Sequence, residues 1–330
     1  MKSDNSYANM RELLKDCMNE VKIMVANDNT PVISTGFQYL DGQISGFEKG
    51  KVYVIGGRPN MGKEEFLFSM IESISIGSKL PVLLFSTNNM KSDYIQRLLS
   101  ICCDIPSLRL RCGLMERLEW ERLDSRVSLL ADAPLFIHDS LDLPIDELID
   151  TARICSSEKG LRIIFIDCLQ MIDFTKEYEN SSERIAKVMY TLKQLACQMD
   201  VPIVLGSMLS RGVESREGIE GKNPRLMDLS NSSYIEEMAD VIMMVNRPEY
   251  YHIYEDEIGT DYHNRIEIFI KKNALMPLGY LLLDYNQDTG IVSERCDENA
   301  SKPVSLEEFG TLSKSVIKLI DTFGLEELPF

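Results

Sequence analysis

The residues best placed to do chemistry form one stretch, Gly57-Arg58-Pro59-Asn60-Met61-Gly62-Lys63-Glu64. Two glycines bound a loop and a lysine closes it. That composition lets backbone N–H groups turn inward around phosphate oxygens. Lys63 would reach the terminal phosphates, and a helix starting there adds the positive end of its dipole. A loop of this kind takes Ser or Thr after the lysine, where the hydroxyl binds the Mg²⁺ that bridges the last two phosphates. Here the residue is Glu64. A carboxylate can meet a cation directly, but it also repels triphosphate oxygens. At ~4 Å and an effective dielectric of ~20, each unit-charge repulsion is about 4 kcal/mol unless metal screens it. Nucleotide binding becomes conditional, and hydrolysis is disfavoured.

The flanking pattern supplies the scaffold such a loop needs. Val52-Tyr53-Val54-Ile55 reads as a buried strand before it, and Glu65 to Ile71 as an amphipathic helix after it. Further apolar strands are expected at Pro81–Ser86, Leu135–Asp139, Arg162–Asp167 and Pro202–Gly206. Helical periodicity separates them, from about Ser92 to Cys103, around Met115 to Leu130, from Pro144 to Ser156 and from Ser182 to Met199. This alternation gives an α/β fold with a parallel sheet covered on both faces. From Val241 the long helices stop. Strands at Val241–Val245, Arg265–Lys271, Tyr280–Asp284 and Ile291–Ser293 are expected to extend the sheet in antiparallel fashion.

Composition bounds the rest. The 330 residues carry a formal net charge of −17, which argues against a broad nucleic-acid footprint. Eight cysteines show no CxxC spacing, so free buried thiols in a reducing compartment are expected. No apolar signal core or membrane-length run is present, and the expectation is a cytoplasmic protein with no membrane partner. Residues 1–30 hold a helix, Tyr7 to Val25, and a polar linker, residues 31–295 the α/β domain, and residues 296–330 a helical and acidic tail. The leading helix packs either on its own domain or on a neighbouring subunit.

Beyond single motifs, a serial set of residues resembles the RecA-like motor domain of DnaB-type replicative helicases. It comprises Ser34-Thr35-Gly36-Phe37, Leu40-Asp41, Gly46-Phe47, the Gly57–Lys63 loop, Phe85-Ser86 and Ile166-Asp167-Cys168-Leu169-Gln170. It continues through Leu209-Ser210-Arg211, Val213-Glu214, Arg216, Ile235-Glu236, Ala239-Asp240, Arg247-Pro248-Glu249-Tyr250-Tyr251, and Lys272, Pro277 and Gly279. The resemblance runs from about Val32 to Glu294. It implies a RecA-like doubly wound sheet, a nucleotide site built from Gly57–Glu64, Asp167 and Gln170, ATP with Mg²⁺ in the shell of Asp167, and a ring assembled through the leading helix. No counterpart of the family's N-terminal domain precedes that helix in this sequence.

Against that family pattern the catalytic positions depart one after another. Asn88-Asn89 stand where the family has its water-activating Glu, and an amide cannot accept the proton. Met208 stands at the γ-phosphate-sensing Gln. Of two cations donated in trans, Lys272 remains but the arginine position is Ala274, a loss that typically costs ~10³–10⁵ in rate. The DNA-contacting turn reads Asp228-Leu229-Ser230-Asn231-Ser232-Ser233, without its cation and glycine. Asp41, Ile235-Glu236 and Asp240 read as structural, and the segment Arg211–Arg225, with its mixed charges, as a solvated mobile loop. The loop itself reads either as a relic that binds no nucleotide or as a site that binds without hydrolysis.

The tail opens on a capping box, Ser305-Leu306-Glu307-Glu308, before an amphipathic helix. It ends Leu325-Glu326-Glu327-Leu328-Pro329-Phe330, which resembles the acidic tip of bacterial single-stranded-DNA-binding proteins. Such tips dock a terminal Phe in an apolar pocket and its carboxylate on basic residues. An ordinary terminus is the plainer alternative. The expectation is therefore a DnaB-like homologue with eroded catalysis, a binding or regulatory protein of DNA replication. The rival is an active ATP-dependent replicative helicase with a rewired site, and a third reading is a nucleotide-gated scaffold tethered by Leu328, Pro329 and Phe330.

Overall fold

The computed structural model describes residues 32–87, 90–173, 181–229, 232–274 and 276–294, with Asn9, Met10, Leu14 and Met18 besides. The chain divides into two units, Ser34–Cys296 and a second made of Met1–Ile33 with Asp297–Phe330. The first is the α/β domain. The second takes in the Tyr7–Val25 stretch, the capping box and the Leu328-Pro329-Phe330 tip, which apart from Asn9, Met10, Leu14 and Met18 lie outside the described residues.

Among the described residues one sheet of nine strands dominates: β1 Val52–Gly57, β2 Val82–Ser86, β3 Leu135–Asp139, β5 Ile163–Asp167, β7 Ile203–Met208, β8 Val241–Asn246, β9 Arg265–Asn273, β10 Gly279–Tyr285 and β11 Val292–Ser293. Two short strands, β4 Leu143–Pro144 and β6 Ile172–Asp173, pair separately. The order in the large sheet is β11-β10-β9-β8-β1-β7-β5-β2-β3. Strands β3, β2, β5, β7, β1 and β8 run parallel, and β9 to β11 extend the sheet antiparallel. One expectation needs correcting: β8 pairs parallel with β1, so the antiparallel extension begins at β9. The helix Ser232–Met238, which precedes β8, supplies the crossover that a parallel strand requires.

Every residue of β1, β2 and β5 is buried, the signature of parallel strands covered on both faces. Alternate side chains Val52, Val54, Leu83, Phe85, Ile164, Ile166, Ile203 and Leu205 join the core with Leu148 and Ala152 of helix Ile145–Lys159. Val188, Met189, Leu192 and Leu195 of helix Ser181–Met199 complete that layer. On the other side lies the helix Lys63–Glu72. It is not amphipathic as expected. Phe66, Leu67, Phe68, Met70 and Ile71 are all buried, because neighbouring elements cover it nearly all round.

The positions read as structural do structural work. Asp41 accepts from the Ser34 hydroxyl at 2.5 Å and the Thr35 N–H at 2.9 Å. Asp240 accepts from Val52 N–H at 2.8 Å and from Lys193 at 2.5 Å, tying β1 to two helices. A short helix that the sequence did not signal, Gln38–Ile44, is capped by Glu294. That carboxylate accepts from the N–H groups of Gln38 and Tyr39, each at 2.6 Å. Of the described cysteines, Cys102, Cys103, Cys155 and Cys168 are buried free thiols, whereas Cys112 and Cys197 are exposed. Among the described residues no helix is long and apolar enough to cross a membrane.

Candidate functional site

The site lies along the carboxyl edge of the parallel strands, where open α/β sheets bind ligands. Registers bring Gly57 level with Met208, and Ser86 level with Asp167. The loop leaves β1 and enters the helix Lys63–Glu72 through Gly62, whose φ of 88° favours glycine. A Cβ on Gly57 would stand 2.9 Å from Lys63 Cβ, so only glycine lets the lysine fold back over the strand end. Asn60 takes φ 64°, a left-handed conformation its short amide tolerates. Met61 is buried under the loop.

Lys63 turns inward. Its ammonium stands 3.5 Å from Asp167 Oδ1, and both side chains are almost wholly buried. The other carboxylate oxygen of Asp167 accepts the hydroxyl of Tyr94, and the Thr87 hydroxyl donates to the Asp167 carbonyl. The next residue, Cys168, takes φ 98° without being glycine, a conformation costing ~1–3 kcal/mol that surrounding bonds must hold. Thr87 Oγ1 and Met171 N–H do so, donating to its carbonyl at 3.3 and 3.1 Å. This sharp turn throws Gln170 back across the sheet edge. Its amide donates to Ser207 Oγ at 2.9 Å and accepts from Met208 N–H at 3.1 Å.

Glu64 is not left facing the loop alone. Arg97, on the helix Lys91–Cys103, places Nη1 2.6 Å from Glu64 and 3.3 Å from Glu65. Burial raises the Glu64 carboxyl above its ordinary range, and the charge of Asp167 adds to this, while Arg97 and Lys63 oppose it. A cavity of about 220 Å³ opens beside this clamp, lined by Glu65, Phe68, Asp93, Gln96, Arg97 and Thr289 among others. The Thr289 hydroxyl is buried there without a hydrogen-bond partner.

Arg58 faces the other way. It bonds the Leu209 carbonyl at 3.0 Å and Glu214 at 2.8 Å. The segment Arg211–Arg225, expected to be a solvated mobile loop, is largely exposed, with a few attachments. Val213 is buried, Arg216 pairs with Asp228 at 2.6 Å, and Lys222 stands over the Tyr251 ring at 4.8 Å. Its charged side chains find partners outside the segment, Arg58, Asp228 and the Tyr251 ring.

Gly57 to Glu64, Asp167, Gln170 and Met208 are thus brought together. Lys272 and Ala274 are not. Antiparallel pairing puts Asn273 level with Val241, the first residue of β8, so both lie at the opposite edge of the sheet. Ala274 is exposed just beyond β9. Lys272 is turned into its own subunit, where its ammonium donates to the carbonyls of Glu236 at 2.5 Å, Ala239 at 2.6 Å and Glu237 at 3.4 Å. Asn89, with Asn88, lies outside the described residues, as do Ser230 and Asn231 of the turn after Asp228. Sequence reasoning missed Tyr94 and Arg97. Their spacing of three puts both on one helix face after β2, and a carboxylate at position 64 calls for a cation.

Strand order, loop and site define a P-loop protein of the RecA-like class. The DnaB-like helicase C terminal domain family matches residues 32–292, and the chain belongs to that family. It is 30% identical over 289 residues to a replicative DNA helicase DnaB of Buchnera aphidicola, covering 86% of this chain and 60% of the relative. A DnaB of Geobacillus stearothermophilus is 28% identical over 308 residues, covering 92% and 66%. The chain therefore spans about three-fifths of the length of the curated relatives it matches. Among solved structures, one ATPase domain superposes with a TM-score of 0.79 at 25% identity, over 88% of this chain and 99% of that one. A DnaB-like replicative helicase, described with its interactions with primase, superposes at 0.76 and 24% identity, over 89% and 68%.

The residues do not fit the Mg²⁺–nucleotide arrangement that the resemblance implies. A hydroxyl should stand at position 64, and the carboxylate found there is held by Arg97. Asp167 is engaged by Lys63 and Tyr94.

Proposed function

We propose that this chain is a DnaB-type ATPase-domain protein without turnover, a nucleotide-binding or structural and regulatory protein of DNA replication. The observation that carries the reading is the Glu64–Arg97 ion pair at 2.6 Å, in the place where hydrolysis needs a metal-binding hydroxyl. Met208 has no polar group for a γ-phosphate, Ala274 has no cation, and Lys272 is bound to its own helix end. The loop glycines, Lys63, Asp167 and Gln170 keep the shape of a phosphate cradle. Self-association or entry into a helicase ring would run through Tyr7–Val25, and the Phe330 tip would tether a replication protein.

The second reading is an active ATP-dependent DNA helicase with a rewired site. The retained loop glycines and Lys63 favour it. ATP turnover with and without single-stranded DNA separates the two. No phosphate release above background is expected in either condition, and DNA-stimulated release would establish the helicase reading instead.

A further inference from the structure

We infer that Glu64 makes this loop selective for nucleoside diphosphates over triphosphates, the reverse of the preference a motor domain needs. The inference rests on the reading that the loop binds nucleotide. The residue after the P-loop lysine stands beside the last two phosphates of a bound chain, because its side chain ordinarily holds the metal that bridges them. In this protein that residue is a carboxylate, and the cations beside it are already shared with other carboxylates. Lys63 stands 3.5 Å from Asp167, and Arg97 is shared between Glu64 and Glu65 at 2.6 and 3.3 Å. More carboxylates than cations meet at this edge.

The first two phosphates of a chain meet the loop amides and the helix N-terminus, and Lys63 reaches the second and, where present, the third. A third phosphate adds roughly one unit of charge beside Glu64 and must share Lys63 with the second, since Arg58 is spent on Glu214 and Lys272 on carbonyls across the sheet. A like-charge contact at such a separation, even well screened, corresponds to a difference in affinity of about tenfold or more. In a motor domain the bridging metal removes this difference, but here Arg97 already holds the carboxylate where it would bind.

The test is calorimetric titration of the full chain with ADP and with ATP, each in EDTA and in excess Mg²⁺, repeated on E64T and on the isosteric E64Q. The expected result is ADP binding about tenfold or more tighter than ATP in EDTA, with the ratio falling toward one in both variants. ATP binding as tightly as ADP in EDTA overturns the inference and leaves the nucleotide-binding reading standing. An unchanged ratio in both variants shows that Glu64 is not the selecting group. No binding of either nucleotide by the wild-type chain overturns the nucleotide-binding reading itself.

Discussion

Replacing Lys272 by Met tests whether this lysine is a cap or a donated cation. In the structure its ammonium closes the C-terminus of helix Ser232–Met238, with two short bonds at 2.5 and 2.6 Å and one longer at 3.4 Å. A hydrogen bond from a charged donor contributes ~1.5–3 kcal/mol at best, and a cation at a helix C-terminus ~0.3–1 kcal/mol. The ammonium is only partly buried, so water replaces part of each bond, and a total of about 1.5–2 kcal/mol follows. Methionine keeps the length of the stem and loses the donors. For a domain of this size, the loss lowers the thermal midpoint by roughly 3–8 °C. The assay is circular dichroism melting of K272M over a hundredfold range of protein concentration, where a cap within one subunit costs the same at every concentration. A midpoint within about 1 °C of wild type would refute the reasoning. So would a loss that appears only at concentrations where subunits assemble.

Two further outcomes are expected. Glu267 is buried on β9, accepting from Asn246 Nδ2 at 2.8 Å and Tyr280 OH at 3.0 Å, with Lys271 and Asp256 as its charged neighbours. Burial raises its carboxyl despite those bonds, so between its ordinary value of 4.5 and its folded value the native state binds the extra proton. Stability from this group is therefore fully present at low pH and declines as pH rises through the folded value. E267Q should flatten that slope in urea midpoints measured from about pH 4.5 to about pH 7.5, and an unchanged slope removes the assignment. Separately, deleting residues 1–30 should convert any oligomer seen by light scattering to monomer, and an oligomer that survives the deletion rules out a bridging role for Tyr7–Val25.

What the sequence made legible follows from physics that is local. Ile163-Ile164-Phe165-Ile166 can only be a strand buried on both faces, and a Gly57–Lys63 loop between strand and helix can only face the carboxyl edge. Contacts made by backbone were invisible. Nothing in Lys272 announces three carbonyls on a helix far earlier in the chain, because carbonyls carry no residue identity. The direction of β8 was missed for a related reason. The short helix Ser232–Met238 gives too few turns to show a period, and its crossover decides parallel from antiparallel. Arg97 was hidden by distance in sequence. Only the packing of helix Lys91–Cys103 on helix Lys63–Glu72 brings it to Glu64. The exposed loop Arg211–Arg225 was legible from its charge run, but its attachments to Arg58 and Asp228 were not, because the partners lie outside the run.

The pairing also separates residues the fold needs from residues a ligand needs. Lys63 and Asp167 are buried together, and removing one would strand the other, at a cost of ~3–5 kcal/mol for an unpaired buried charge. Once both are present, neither is lost alone, whether or not a nucleotide is bound. Gly62 is likewise fixed by its positive φ. Position 64 is different. Arg97 reaches Glu65 as well as Glu64, so a neutral residue at position 64 leaves the guanidinium paired and removes a carboxylate that burial already penalises. The fold places no demand for charge there. If the loop binds nucleotide as proposed, that one dispensable charge is the side chain that sets its preference among phosphate chains.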